Sequence, residues 1–179
     1  MKKLLVAVAI ILVSASAAFG QLGTTTATQN LVLTVGPEAA LVVPVASASA
    51  NFSAPTNFAS YTATSNFTFF VRTTTAGGSG NITLKVTTDF SNGSGNQPSV
   101  ATPPTAGDIL TYAGSTSAPG TGAAGTASTG SATNVVTFGA NAHTTNTGVV
   151  ENVNWTFVND PLYPTGTYTA TVTYTISAS

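Results

Sequence analysis

Cysteine is absent from the 179 residues, and charge nearly so: four Lys or Arg, five Asp or Glu and a single His leave 5% of the chain charged. An ordinary soluble domain carries about a quarter. Without cysteine there is no disulfide, no thiolate zinc site and no cysteine nucleophile. Nucleic-acid binding is excluded as well, because neutralising phosphates takes clustered Lys and Arg, and two of the four basic residues are Lys2 and Lys3. The low charge does not mean disorder, since 42% of the residues are hydrophobic and a disordered chain is poor in them. Long apolar runs are missing too. The longest, residues 4–13, falls well short of the roughly 20 residues that span a bilayer.

What that run does match is an export signal. Lys2 and Lys3 precede it, and small residues ending in Ala18 and Gly20 follow it, giving a basic start, an apolar core and a small-x-small cleavage site. Residues 1–20 therefore read as a signal peptide removed before Gln21. No cysteine follows to carry a lipid anchor. The expected location is outside the cytoplasm: extracellular, on the cell surface or periplasmic.

Threonine dominates the remainder, with 34 copies, against two basic residues, Arg72 and Lys85. Threonine is β-branched and stiff at χ1, which suits pleated strands. The period-2 patterns agree. Residues 166–176 place Tyr168, Ala170, Val172, Tyr174 and Ile176 on one face and five threonines on the other. Further alternations carry Ile82, Leu84 and Val86; Val153, Trp155 and Phe157; and Phe67, Phe69 and Val71. Leu31, Leu33 and Val35 form an early strand; Leu41, Val43 and Val45 another after Gly36-Pro37; Val136 and Phe138 a short one. No helical period appears beyond the signal peptide. The expected fold is all-β, an immunoglobulin-like two-sheet β-sandwich of about seven or eight strands. Residues 21–179 form one domain, with Phe67, Phe69, Leu84, Trp155, Phe157, Tyr168 and Val172 in its core. Residues 90–133, rich in Gly, Ser, Ala, Thr and Pro, read as a flexible low-complexity excursion interrupted by one short strand at 108–112.

Catalytic chemistry finds little footing. His143 sits in a polar loop context with no serine or aspartate singled out as its partner, whereas a triad needs a positioned base and orienter. The carboxylates are dispersed along the chain. Residues 89–96 loosely resemble a calcium loop but offer one carboxylate, Asp89, and calcium takes six to eight oxygens. Trp155 and the tyrosines could stack on sugars only if they faced outward, and their alternation turns them in. Five Asn-x-Ser/Thr sequons, at Asn51, Asn66, Asn81, Asn92 and Asn154, are expected by chance in a chain this rich in Asn, Ser and Thr. No cofactor, metal or catalytic residue is expected.

The ending at residues 164–177, PTGTYTATVTYTIS, is similar to the last strand of bacterial secreted pilin-like sandwiches, the spore-coat-protein-U-like and archaic chaperone–usher pilins, which close with Gly-x-Tyr and alternating apolar residues. Residues 29–35, QNLVLTV, resemble the N-terminal segment that such subunits insert into a neighbour. That is β-strand addition, in which backbone bonds give affinity and alternate side chains fill pockets. The chain departs from those families in lacking the disulfide that many of them carry. The resemblance implies a non-enzymatic structural subunit of a pilus, fibre or coat, with Leu31, Leu33 and Val35 as the donated residues and self-association or related surface subunits as partners. A stand-alone binding module, holding a glycan or a surface protein through the loops of the sandwich, is the other reading of the same pattern.

Overall fold

The structure, a computed structural model, describes residues 26–90, 95–115 and 117–179. The expected signal peptide, residues 1–20, lies outside the described residues. The chain divides at Thr34. Residues 26–34 contain no strand, and Leu31 and Leu33 are 90% and 86% exposed.

Residues 35–179 carry nine strands and no α-helix among those described: β1 Glu38–Val42, β2 Tyr61–Arg72, β3 Gly80–Thr88, β4 Leu110–Gly114, β5 Gly120–Gly122, β6 Ala124–Thr126, β7 Thr133–Phe138, β8 Val149–Phe157 and β9 Thr171–Ala178. They make two antiparallel sheets, β1-β2-β8-β4-β6 and β5-β7-β3-β9. This is an all-β sandwich. The period-2 side chains explain it: Phe67, Phe69 and Val71 of β2, Val153, Trp155 and Phe157 of β8, and Ile82, Leu84 and Val86 of β3 are all buried. Their neighbours in sequence, mostly Thr and Asn, face out. Trp155 keeps its indole N–H satisfied by donating to Ser65 Oγ at 2.9 Å.

Four expectations need correction. Leu31, Leu33 and Val35 lie in no strand, and all three side chains are exposed. The second early alternation yields only β1, with Leu41 half-buried and Val43 and Val45 exposed. Pro44 has no N–H to continue a ladder, and the chain turns there into a single 3₁₀ turn, Val45–Ser47. Tyr168 lies outside β9 and is half-buried. Its hydroxyl donates to Pro164 O at 3.0 Å, closing a local turn, since the ladder with β3 begins only at Thr171. Val172 is half-buried rather than enclosed, because β9 ends its sheet.

Residues 90–133 are the fourth case. They hold β4, β5 and β6, and Leu110 and Tyr112 enter the core. Here backbone, not side chains, closes the sandwich. The chain leaves one sheet at Gly122 and joins the other at Ala124, while Ala123 N–H donates to Val135 O and its carbonyl accepts from Gly114 N–H. A Cβ at Gly122 would stand 2.2 Å from Ser115 O, and one at Gly120 2.4 Å from Val136 Cγ1. Only glycine permits this approach.

Candidate assembly edge

One side of the sandwich is thus stitched shut by continuous chain from β5 into β6. The other side is not. There β1 closes one sheet and β9 the other, and they lie against each other with no hydrogen-bonded ladder between them. The inner residues of β9, Val172, Tyr174, Ile176 and Ala178, are only half-buried, although they pack on the core. Tyr174 stacks at a tilt on Phe67, with ring centroids 4.8 Å apart. Alternate backbone groups along β9 face away from β3 with no strand to receive them, the usual condition of an edge strand. Natural edges are commonly protected by charge, proline or a bulge; β9, TVTYTISA, has neither charge nor proline, and the one register shift in its ladder with β3 falls at its very start, between Val86 and Thr88.

The start of β1 is held firmly. Arg72, at the end of β2, donates from Nε to Gly36 O at 3.0 Å and pairs through Nη2 with Glu38 Oε1 at 2.6 Å. An exposed pair like this adds little stability. Its effect is positional, fixing where the chain enters the sandwich. Val35, immediately upstream, is more than half exposed.

Other polar groups were invisible or misjudged in the sequence. Asp89, the one carboxylate of the calcium-like stretch, has its oxygens occupied: they accept from the N–H groups of Phe90, Val100 and Ala101 and from Ser99 Oγ, at 2.7–3.0 Å. Partial burial pushes its pKa up, but these bonds outweigh that and hold it below the ordinary value. Asp89 is a clamp on the loop that follows it. Asp108 and Asp160, far apart in sequence, meet at the loops after β8 and before β4. Tyr163 Oη donates to Asp108 at 2.9 Å, while Thr105 Oγ1 and Leu162 N–H donate to Asp160. Thr105 first, then Leu162, hold Asp160 low, while burial and then Asp108 push the Tyr163 phenol up. Among the described residues, no group of three His, Cys, Asp or Glu is placed to hold a metal ion.

Glu151 is the most unusual group. It shares the parity of Val153, Trp155 and Phe157, so it points inward and is 0% exposed. Neither carboxylate oxygen has a partner in bonding geometry. Ser115 and Ser117 lie near; Ser117 Oγ donates to Val150 O, while Ser115 Oγ accepts from Asn152 N–H and keeps its own hydrogen. Burial pushes the Glu151 pKa up, and the serines offset this only in part.

His143 is exposed in the loop between β7 and β8, with Nδ1 2.9 Å from Asn141 O. It lines a cleft of about 330 Å³ with Pro119, Thr145 and Val149 among others. Among the sequons, Asn154 Oδ1 accepts from Thr64 Oγ1, Asn81 bonds Asn134 and Ser177, and Asn92 lies outside the described residues. No helix among the described residues is long and apolar enough to cross a membrane. Comparisons with protein families, with curated proteins and with solved structures returned no match.

Proposed function

We propose that this chain is a non-enzymatic, exported structural subunit of a cell-surface pilus, fibre or coat that assembles by β-strand donation. One observation carries the reading: a sandwich closed on one side by its own chain is left unladdered on the other, and the chain also carries an apolar segment with no strand of its own. The eight residues of β9 match residues 28–35 in length. Laid along the free edge of β9 in a second copy, that segment would complete its hydrogen bonds and bring Leu31, Leu33 and Val35 over Val172, Tyr174 and Ile176. Fully burying each such side chain stabilises by about 1.5–3 kcal/mol. The scarcity of charge fits a partner that is another copy of the same surface.

The test is the double change Leu31→Asp and Leu33→Asp. Buried unpaired carboxylates are strongly unfavourable, so assemblies seen by sedimentation and electron microscopy disappear while the circular-dichroism melt of the sandwich is unchanged. If the unmodified protein is a monomer, and the double change abolishes its cooperative melt, strand donation is wrong. A monomer retained on a glycan array would then favour the stand-alone binding module.

A further inference from the structure

The two ends of the sandwich differ. One gathers the end of β2, the starts of β1 and β8 and the His143 loop, joined by the Arg72 bonds and the Arg72–His143 bridge. The other gathers the start of β2, the end of β8 and the start of β4, paired at Tyr61, Phe157 and Leu110. This second end carries three exposed apolar side chains on separate loops: Phe58, 66% exposed, Ile109 and Leu162. Phe58 also sits at φ 59°, a left-handed conformation rare for a bulky side chain. Strained residues of this kind persist where surroundings fix them, and they cluster at functional positions.

Strand direction ties the ends together. β9 runs from the Phe58 end to the Arg72 end, where Ser179 bonds Thr74 and Ser79. Every pairing in the sandwich is antiparallel, so a donated segment laid antiparallel on β9 finishes, at Val35, beside the acceptor's Phe58 end. Val35 is three residues from Glu38, where the donor's own β1 begins under the Arg72 clamp. At 3.3–3.6 Å per residue, that linker reaches about 10 Å. The donor's Arg72 end is therefore brought onto the acceptor's Phe58 end.

We infer that the Phe58, Ile109 and Leu162 end of one copy is a docking surface for the opposite end of the next, where Pro119, His143 and Val149 line the cleft. The inference rests on the strand-donation reading. The partner is a second copy of this chain. The contact is head-to-tail, and such contacts propagate into open filaments unless the rotation closes a ring. Covering three apolar side chains gives the fibre stiffness that a strand joined through a two-residue Gly36-Pro37 linker would lack.

The cysteine-free chain makes the test direct. Purified protein carrying Leu162→Cys and Thr145→Cys is allowed to assemble and is treated with a bifunctional maleimide. A separate protein carrying Phe58→Asn and Leu162→Asn is assembled alongside, and binding of a synthetic peptide of residues 26–35 is measured for both. The expected result is a ladder of cross-linked oligomers from the cysteine pair. The Asn variant should lose long straight filaments yet take up the peptide like the unmodified protein. Filaments of normal length from the Asn variant, or no ladder from filaments that do form, overturn the docking surface and leave strand donation standing. No peptide uptake and no assembly by unmodified protein overturn both.

Discussion

Glu151→Met is the most informative perturbation of the sandwich itself. The wild-type carboxyl is buried, both oxygens lack a partner in bonding geometry, and no charged group among the described residues acts on it. An unsatisfied buried polar group of this kind costs about 1–3 kcal/mol. Methionine has similar reach and flexibility and needs no partner. The exchange should therefore stabilise the protein by about 1–3 kcal/mol at neutral pH. The pH dependence gives a second signature. Because burial raises the pKa above its ordinary 4.5, the native state holds a proton that the unfolded chain releases. Stability from this group is complete below about 4.5 and is lost as pH rises through the raised native value, at about 1.4 kcal/mol per unit of separation. Urea unfolding of both proteins between pH 4 and 8 should show curves that diverge with rising pH, the variant above. Parallel curves, or a variant less stable by more than about 1 kcal/mol, would refute the reasoning.

Trp155→Ala should cost about 3–5 kcal/mol in the same urea assay, because a large buried ring and its hydrogen bond to Ser65 are removed. Gly122→Ala should cost at least about 1–3 kcal/mol, since the new methyl meets backbone at Ser115 and Gly114 with no side chain to yield. Thr171→Ala, on the outer face of β9, should shift stability by well under about 1 kcal/mol. Asp89→Asn should weaken the protein near neutral pH and flatten its acid limb. The carboxylate's lowered pKa contributes stability present above the ordinary 3.8 and lost as pH falls through the native value, which acid titration followed by the fluorescence of the single tryptophan will read.

The strand patterns were legible wherever one face met the core and the other met water, as in β2, β3 and β8, because a period of two records that asymmetry directly. Glu151 was not: it shares the inward parity of β8, but an acidic side chain runs against a core position, and only the structure shows it buried. The 110–126 region was opaque because its role is carried by backbone approach at Gly120 and Gly122, and a small side chain looks the same in a loop as in a tight crossing. Tyr168 misled through the opposite error, continuing an alternation past the point where β3 could still supply a partner. The meeting of Asp108, Asp160 and Tyr163 depends on loop positions that no local pattern encodes. For the candidate edge, sequence supplied the apolar segment at 31–35, while the unladdered seam and the Arg72 clamp came from topology.

The placement of the two basic residues beyond Lys3 has a consequence for resistance to proteolysis. A trypsin-like protease cuts after Lys or Arg, and must draw several residues on each side into an extended, unpaired form. Arg72 ends β2, bonded to Gly36 and Glu38 and bridged to His143, and Lys85 lies mid-β3, paired with Thr173 of β9. Neither bond can be reached without opening the ladders around it, so digestion must wait for the molecules that unfold. A copy whose β9 edge has accepted a further strand would be digested more slowly still, making tryptic half-life a direct gauge of assembly.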